Sequence, residues 1–265
     1  MWLATHEDER LNDVITTVFE SIFYQKFDLV GDGIDTPEGY NIKRYGVYEQ
    51  KYGIYKQRIS PLMTDVESEV AVYLLAQKMG IPCCPAYRVD EKTVFSEFLY
   101  DFRADYIVHF RRLFDGERTE NEYQNLISIR PQYKRNIIQM IVLDFVTRQD
   151  DRHLSNLAVK KTKDGEFFYP LYDNGRSLFY EDTEQMVKEA VADVENYATT
   201  FGHVGTYWDF IKEIADEKIE IGNLVNLLIT EGELIDILHK SGFTDYRFEG
   251  AFQWITKSIN LIKQL

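Results

Sequence analysis

The stretch that most constrains this chain is Asp150-Asp151-Arg152-His153-Leu154-Ser155-Asn156, followed by Tyr172-Asp173-Asn174-Gly175. Upstream, Ile137, Ile138, Ile141, Val142, Phe145 and Val146 recur at helical spacing, so a buried helix runs directly into the first polar loop. Downstream, Leu157–Lys160 and Phe167–Leu171 alternate as a short hairpin around Lys163-Asp164-Gly165. The apolar strand Phe168-Tyr-Pro-Leu-Tyr172 anchors Asp173 from below, and Asn174 and Gly175 allow a sharp turn away. Any fold for this chain must therefore bring one buried helix, one hairpin and two polar loops to a single place.

The rest of the chain reads as an α+β fold. Helical period runs over about Asp8–Gln25, and residues 28–39 are turn-rich. Two strands, Tyr40–Tyr48 and Lys51–Arg58, form a hairpin. Pro61 and Thr64 open a helix over Asp65–Met79 that Gly80 closes. After the connector Ile81–Pro85, a second hairpin spans Tyr87–Val89 and Thr93–Phe98. From Leu99 the pattern is mainly helical: Pro131 suits a helix start, and helical spacing returns near Glu184–Glu195, Tyr207–Ile214, Lys218–Ile229, Glu231–Lys240 and Phe248–Leu265. The expected organisation is bilobal, with a small β-containing lobe over residues 1–98 and a larger helical lobe over 99–265.

Composition narrows the partners. With 30 basic and 44 acidic residues the net charge is -14, a surface that repels nucleic acid and anionic membranes. A nucleotide is still compatible, because one lysine and a bound Mg²⁺ invert the sign inside a single cleft. The two cysteines, Cys83 and Cys84, are adjacent, which fits reduced, buried thiols. No apolar run approaches a membrane span, and residues 1–10 carry no signal-peptide core. The expected compartment is the cytoplasm, with delivery by a signal of another type left open.

The spacing of the polar loops suits phosphoryl transfer from Mg-ATP, a chemistry that rests on positioning and charge neutralisation. Asp151 would orient or deprotonate an attacking hydroxyl, while Asn156 and Asp173 would hold metal ions on the phosphates. The same residues also have plainer readings: Asp150 and Asp151 as the end of a helix, and Asp-Asn-Gly as an ordinary turn. His153 is either a general base or a structural residue of the loop. His6, His109, His203 and His239 show no metal-ligand spacing.

Strand alternation puts Tyr52, Ile54 and Lys56 on one face, and an inward-facing lysine needs anions: phosphate oxygens and a helix carboxylate. Glu67 and Glu69 are available, and Glu69 lies deeper, beside the apolar run from Val70 to Leu75. No glycine-rich phosphate signature stands around Gly31, Gly33 and Gly39. The stretch Gly39–Lys43 could cover the phosphates with Lys43 or Arg44 adding charge, or be an ordinary surface loop.

These residues resemble the HipA-like kinases, bacterial Ser/Thr kinases with a protein-kinase-like fold related to phosphatidylinositol kinases. The resemblance is carried by Tyr-Gly-Ile-Tyr-Lys56-Gln, by Glu67-Ser-Glu69 through Gly-Ile-Pro82, by Asp151-Arg-His-Leu-Ser-Asn156 and by Leu-Tyr-Asp173-Asn-Gly, and it spans about Gly39 to Leu178. It implies ATP and Mg²⁺ bound between two lobes, with transfer to Ser or Thr of a protein substrate. Asp151 would then be the catalytic residue, Asn156 and Asp173 metal ligands, and Lys56 the ATP lysine. Glu97, Phe98 and Leu99 would form the hinge that reads adenine. The length is nearer the shorter free-standing members of the group. A small-molecule or lipid kinase, a binding module without catalysis, and nucleotidyl transfer are the alternatives. Autophosphorylation is a further expectation, with Ser155, Ser177 and Thr183 near the site and nothing in the sequence selecting among them.

Overall fold

The computed structural model describes residues 34–35, 42–101, 104–113, 121–198, 201 and 205–265. The helix expected over Asp8–Gln25, the glycines at 31, 33 and 39, and His6 and His203 lie outside them. The described strands begin with β1 (Ile34–Asp35), β2 (Ile42–Tyr48) and β3 (Lys51–Gln57). They continue as β4 (Ala86–Arg88) and β5 (Thr93–Glu97) in a five-stranded antiparallel sheet of order β1-β2-β3-β5-β4. A turn-rich loop was expected where β1 lies; this pair of residues instead adds to the free edge of β2.

The β2–β3 turn is the two-residue Glu49-Gln50, with φ of 48° and 66° at its two positions. Positive φ at both makes the mirror-type turn whose twist matches the strands, at some strain because neither residue is glycine. A two-residue turn leaves one register, Tyr48 opposite Lys51, and it follows residue by residue that Lys43 lies opposite Lys56. Gly53 sits where β3 meets Ser96 and Phe95 of β5, and a methyl group there would overlap the Ser96 carbonyl oxygen. Gly53→Ala is therefore expected to cost about 1–3 kcal/mol, read as a lower urea midpoint at constant slope.

Helix α1 (Asp65–Met79) crosses behind this sheet and ends where Gly80 turns left-handed at φ 70°, its amide and that of Ile81 closing back on the last turn. The helix is buried on both sides. Its apolar residues Ala71, Val72, Leu75, Ala76 and Met79 belong to the same core as the central helix of the larger part.

That larger part is built on α4, defined below with its neighbours. In chain order come β6 (Tyr106–His109), α2 (Phe110–Leu113), α3 (Glu122–Ile129), α4 (Lys134–Val146), β7 (Ala158–Thr162) and β8 (Gly165–Phe168). Then follow α5 (Glu184–Ala192), α6 (Tyr207–Asp216), α7 (Glu231–Ser241) and α8 (Asp245–Ile262). Every residue of α4 from Ile137 to Val146 is buried, so packing and not a single amphipathic face holds it. Thr206 with Asp209 and Thr230 with Glu233 form capping boxes at the starts of α6 and α7. No described helix is long and apolar enough to cross a membrane.

Two expectations are corrected. The mainly helical part after Leu99 holds the expected hairpin and also a strand that was not expected: β6 joins β7 and β8 in a three-stranded sheet of order β6-β7-β8. Residues Lys218–Ile229 form one short 3₁₀ turn, Ile221–Asn223, in place of a helix. Gly222 weakens helix there, and the segment is pulled into tertiary hydrogen bonds: Asn226 donates to Met79 and Lys78 carbonyls, and Gln139 donates to the Leu224 carbonyl.

Candidate active site

The polar loops meet between the two sheets. Lys56 is almost fully buried, and its ammonium sits between the Glu69 carboxylate, with which it forms a short ion pair, and Asp173 Oδ1 at 2.8 Å. Burial by itself would lower the lysine's pKa, but Asp173 and Glu69 hold it above its ordinary value. Lys43, brought to the same face by the strand register, reaches Asp173 Oδ2 at 3.4 Å. Burial would raise the Asp173 carboxyl; Lys43 and Lys56 overcome that and keep it well below the usual carboxylate range. Asp173 adopts φ 58°, an uncommon left-handed backbone for a non-glycine residue.

Glu67, the other candidate partner of Lys56, points elsewhere: it pairs with Arg58 and lies 3.5 Å from Arg88. Two residues apart on a helix lie on nearly opposite faces, so only one of Glu67 and Glu69 could meet the sheet at Lys56. Arg44 alternates with Lys43 along β2, and the neighbouring strand pairs it with Tyr55.

The second loop is shaped by its own backbone bonds. Gln149 accepts from the Asp151 amide at 2.8 Å, and Asn156 Nδ2 donates to the Asp151 carbonyl at 2.8 Å. His153 caps the 3₁₀ turn Leu154–Asn156, accepting from the Ser155 amide at 3.2 Å, and its Nε2 lies 3.8 Å from Asp151 Oδ1. The structure thus gives His153 a loop-forming bond and a place beside Asp151. The Asp151 side chain is about a third exposed, at 36%. Burial raises its pKa, His153 and Arg176 pull it down, and Asp173 and Asp150 push with the burial to leave it raised. A carboxylate raised in this way is better matched to taking a proton from a hydroxyl.

The expected hinge lies where β5 leaves the first sheet. Glu97 accepts from the Tyr87 hydroxyl at 3.0 Å, and the Phe98 amide donates to the Tyr52 carbonyl at 2.8 Å. The Leu99 amide donates to the Tyr169 hydroxyl at 2.9 Å, and the Leu99 carbonyl accepts from Lys160 at 3.3 Å. Tyr45, Phe98, Tyr169 and Tyr172 pack into one buried cluster around this stretch. A base read by Leu99 would exchange a bond with Tyr169 or Lys160 for one with itself. Of the three hydroxyls considered for autophosphorylation, Ser177 is fully buried and Thr183 caps α5 by accepting from the Met186 amide.

Among the described residues no group of three His, Cys, Asp or Glu side chains could hold a metal by itself. Mg²⁺ asks for less: one or two protein oxygens, the rest from phosphate and water. The ionised Asp173 carboxylate and the Asn156 amide oxygen are a donor set of that kind.

Sequence reasoning passed over Arg152, Asp144 and His109. Arg152 and Asp144 are both completely buried, joined by two parallel bonds of 2.9 and 3.0 Å. The signal was present, since Asp144 is the only charge in the apolar run from Ile137 to Val146, and a buried charge requires a partner. His109, on the unexpected strand β6, meets the Tyr172 hydroxyl at 3.0 Å, and that hydroxyl also donates to the Ser155 carbonyl at 3.0 Å.

Burial lowers the His109 pKa to about 4. An unfolded imidazole titrates near pH 6.5, so the unfolded chain binds the proton first as pH falls. The contribution of His109 is complete above about pH 6.5 and is lost as pH drops towards 4, amounting to about 3 kcal/mol. In His109→Gln, unfolding free energy measured by urea titration is expected to fall less steeply over this window. Equal slopes in the two proteins would assign the acid sensitivity to other groups.

No protein-family model matches the sequence, and no curated protein matches it by sequence. Solved structures do match in fold. The Helicobacter pylori proinflammatory kinase CtkA superposes with a TM-score of 0.70 over 88% of this chain and 95% of its own, at 13% identity. Shewanella oneidensis HipA, solved with HipB and operator DNA, has a TM-score of 0.50 over 100% of this chain and 74% of its own, at 10% identity. The chain therefore has the bilobal kinase-like fold, small antiparallel sheet before helical part, that its motifs implied.

Proposed function

We propose that this chain is a Mg²⁺- and ATP-dependent kinase that transfers the γ-phosphate to a Ser or Thr hydroxyl of a protein substrate. The observation that carries the reading is the placement of Lys56, buried between Glu69 and Asp173, where three separate elements converge on one ammonium. A structural ion pair alone needs one carboxylate; the second, with Lys43 beside it, makes an alternating array of the kind that accepts phosphate oxygens and a metal.

In this reading Lys56 binds the α- and β-phosphates, held in place by Glu69, and Lys43 adds charge from the neighbouring strand. Asn156 and Asp173 hold Mg²⁺, which supplies neutralisation of phosphate charge when bound with ATP. Asp151 orients the acceptor hydroxyl and takes its proton as the oxygen attacks phosphorus and the ADP oxygen leaves. Backbone groups of Glu97, Phe98 and Leu99 read the base. Kinase neighbours in fold support the reading, as does the acidic surface, which favours a protein acceptor over an anionic lipid.

The test is incubation with γ-labelled ATP and Mg²⁺, with and without a general Ser/Thr substrate, for wild type and Lys56→Met. Label stable as phosphoserine or phosphothreonine is expected, reduced by about 100-fold or more in the variant. A protein mass increase of adenylate in place of phosphate, or label confined to a lipid or small molecule, would overturn the reading. ATP binding without any transfer would reassign the chain as a binding module.

A further inference from the structure

Among the buried charges that the groups assigned to phosphates, metal and acceptor leave unused, Arg152 lies nearest to them in the chain. Arg152 follows Asp151 directly, and its side chain is fully buried. Its bidentate bonds to Asp144 compensate the charge, but they account for only part of the guanidinium. Nη1 donates to the Tyr172 carbonyl at 3.1 Å, the residue just before Asp173. Nη2 donates to Asn174 Oδ1 at 2.7 Å, the residue just after it. One side chain from the Asp151 loop thus grips both flanks of Asp173.

Asn174 carries the connection further. Its Nδ2 donates to Cys83 Sγ at 3.5 Å, in the connector that follows α1, the helix bearing Glu69. Between those flanks Asp173 stands in a left-handed conformation that a non-glycine residue keeps only when its surroundings hold it there. A buried ion pair is a poor way to gain stability compared with apolar packing of equal volume. Its retention here, with the remaining donors aimed at both neighbours of Asp173 and, at 3.4 Å, at the Asn156 carbonyl in its own loop, points to geometry as its use.

We propose that Arg152 and Asn174 are a positioning unit that sets Asp173 relative to Asp151, so that loosening either loop loosens both. The proposal rests on the kinase reading for its catalytic consequence, and on hydrogen bonds alone for its structural one.

Asn174→Leu tests it, because the change removes both side-chain bonds of Asn174 and leaves the Arg152–Asp144 pair intact. Gln139→Leu is the control: it deletes buried bonds to the Leu224 and Gly80 carbonyls, away from the two loops. For Asn174→Leu, kcat is expected to fall by about 100-fold while the KM for ATP changes by less than about threefold. Hydrogen exchange is expected to quicken together in peptides covering 150–157 and 170–176. Gln139→Leu is expected to lower Tm by a similar amount with kcat unchanged. Equal kcat in Asn174→Leu and Gln139→Leu at matched Tm loss, or faster exchange in only one loop, would overturn the proposal. Should the wild type transfer no phosphate, the kinase reading fails, and the exchange measurement still decides the coupling.

Discussion

Asp151→Ala is expected to slow phosphoryl transfer by about 10²- to 10⁴-fold while ATP affinity stays within a few-fold of wild type. The separation follows from how the loop is made. Asp151 holds the loop through its backbone, its amide donating to Gln149 Oε1 and its carbonyl accepting from Asn156. Alanine keeps both bonds. The side chain is partly exposed, and its charge partners among the described residues are distant, His153 at 3.8 Å and Arg176 at 3.9 Å. Removing it would therefore delete the proposed proton acceptor without unlocking the loop, and the lysines proposed to bind phosphate lie on other elements. Initial rates with labelled ATP, calorimetric ATP binding and Tm, measured together, check the three parts of this expectation. A variant that kept more than about a tenth of the wild-type rate would remove Asp151 from the chemistry.

Arg152→Met is expected to give the largest loss of stability, about 3–5 kcal/mol, because it strands Asp144 in the core without a counter-charge. Burial already raises the Asp144 carboxyl above its ordinary pKa, so without the guanidinium it would take up a proton before remaining a buried anion. The double variant Arg152→Met/Asp144→Leu replaces the whole pair by apolar groups and is expected to recover most of that loss. Activity is expected not to return with stability, since the bonds to Tyr172 and Asn174 are absent in both variants. Urea unfolding and transfer rates for the three proteins provide the check. A loss below about 1 kcal/mol in the single variant would show that water reaches the pair.

The Arg152 network also shows where sequence reasoning stopped. The array Asp151, Asn156, Asp173 could be singled out because its spacings are local and its residue types are those that phosphoryl transfer would use. The hairpin was read, but the pairing of Lys43 with Lys56 was not drawn from it, although a two-residue turn at Glu49-Gln50 leaves no other register. The preference for Glu69 over Glu67 followed from depth in an apolar helix, and helical geometry lets only one of the two meet Lys56. Arg152 was read only as part of a motif, because nothing local says that its partners are Asp144, Tyr172 and Asn174.

The misread elements have the same origin. Tyr106–His109 is four residues without clear alternation, and it is a strand because the exposed edge of β7 offers it hydrogen bonds. Lys218–Ile229 has helical apolar spacing, yet its polar groups are claimed by Met79, Lys78 and Gln139 from elsewhere in the chain. Intrinsic preference is worth tenths of a kcal/mol per residue, about the size of one net hydrogen bond when summed over a turn, so tertiary bonding decides such cases.

By itself the sequence determined which chemical groups lie within a few residues of each other, the strand register of the first hairpin, and the helices long enough to show a period. Only the tertiary structure decided that Asp173 meets a lysine 117 residues away and that Arg152 bonds both of its neighbours, Tyr172 and Asn174. Spacing along a chain is set by covalent geometry, whereas distance across a core is set by the packing of every element at once.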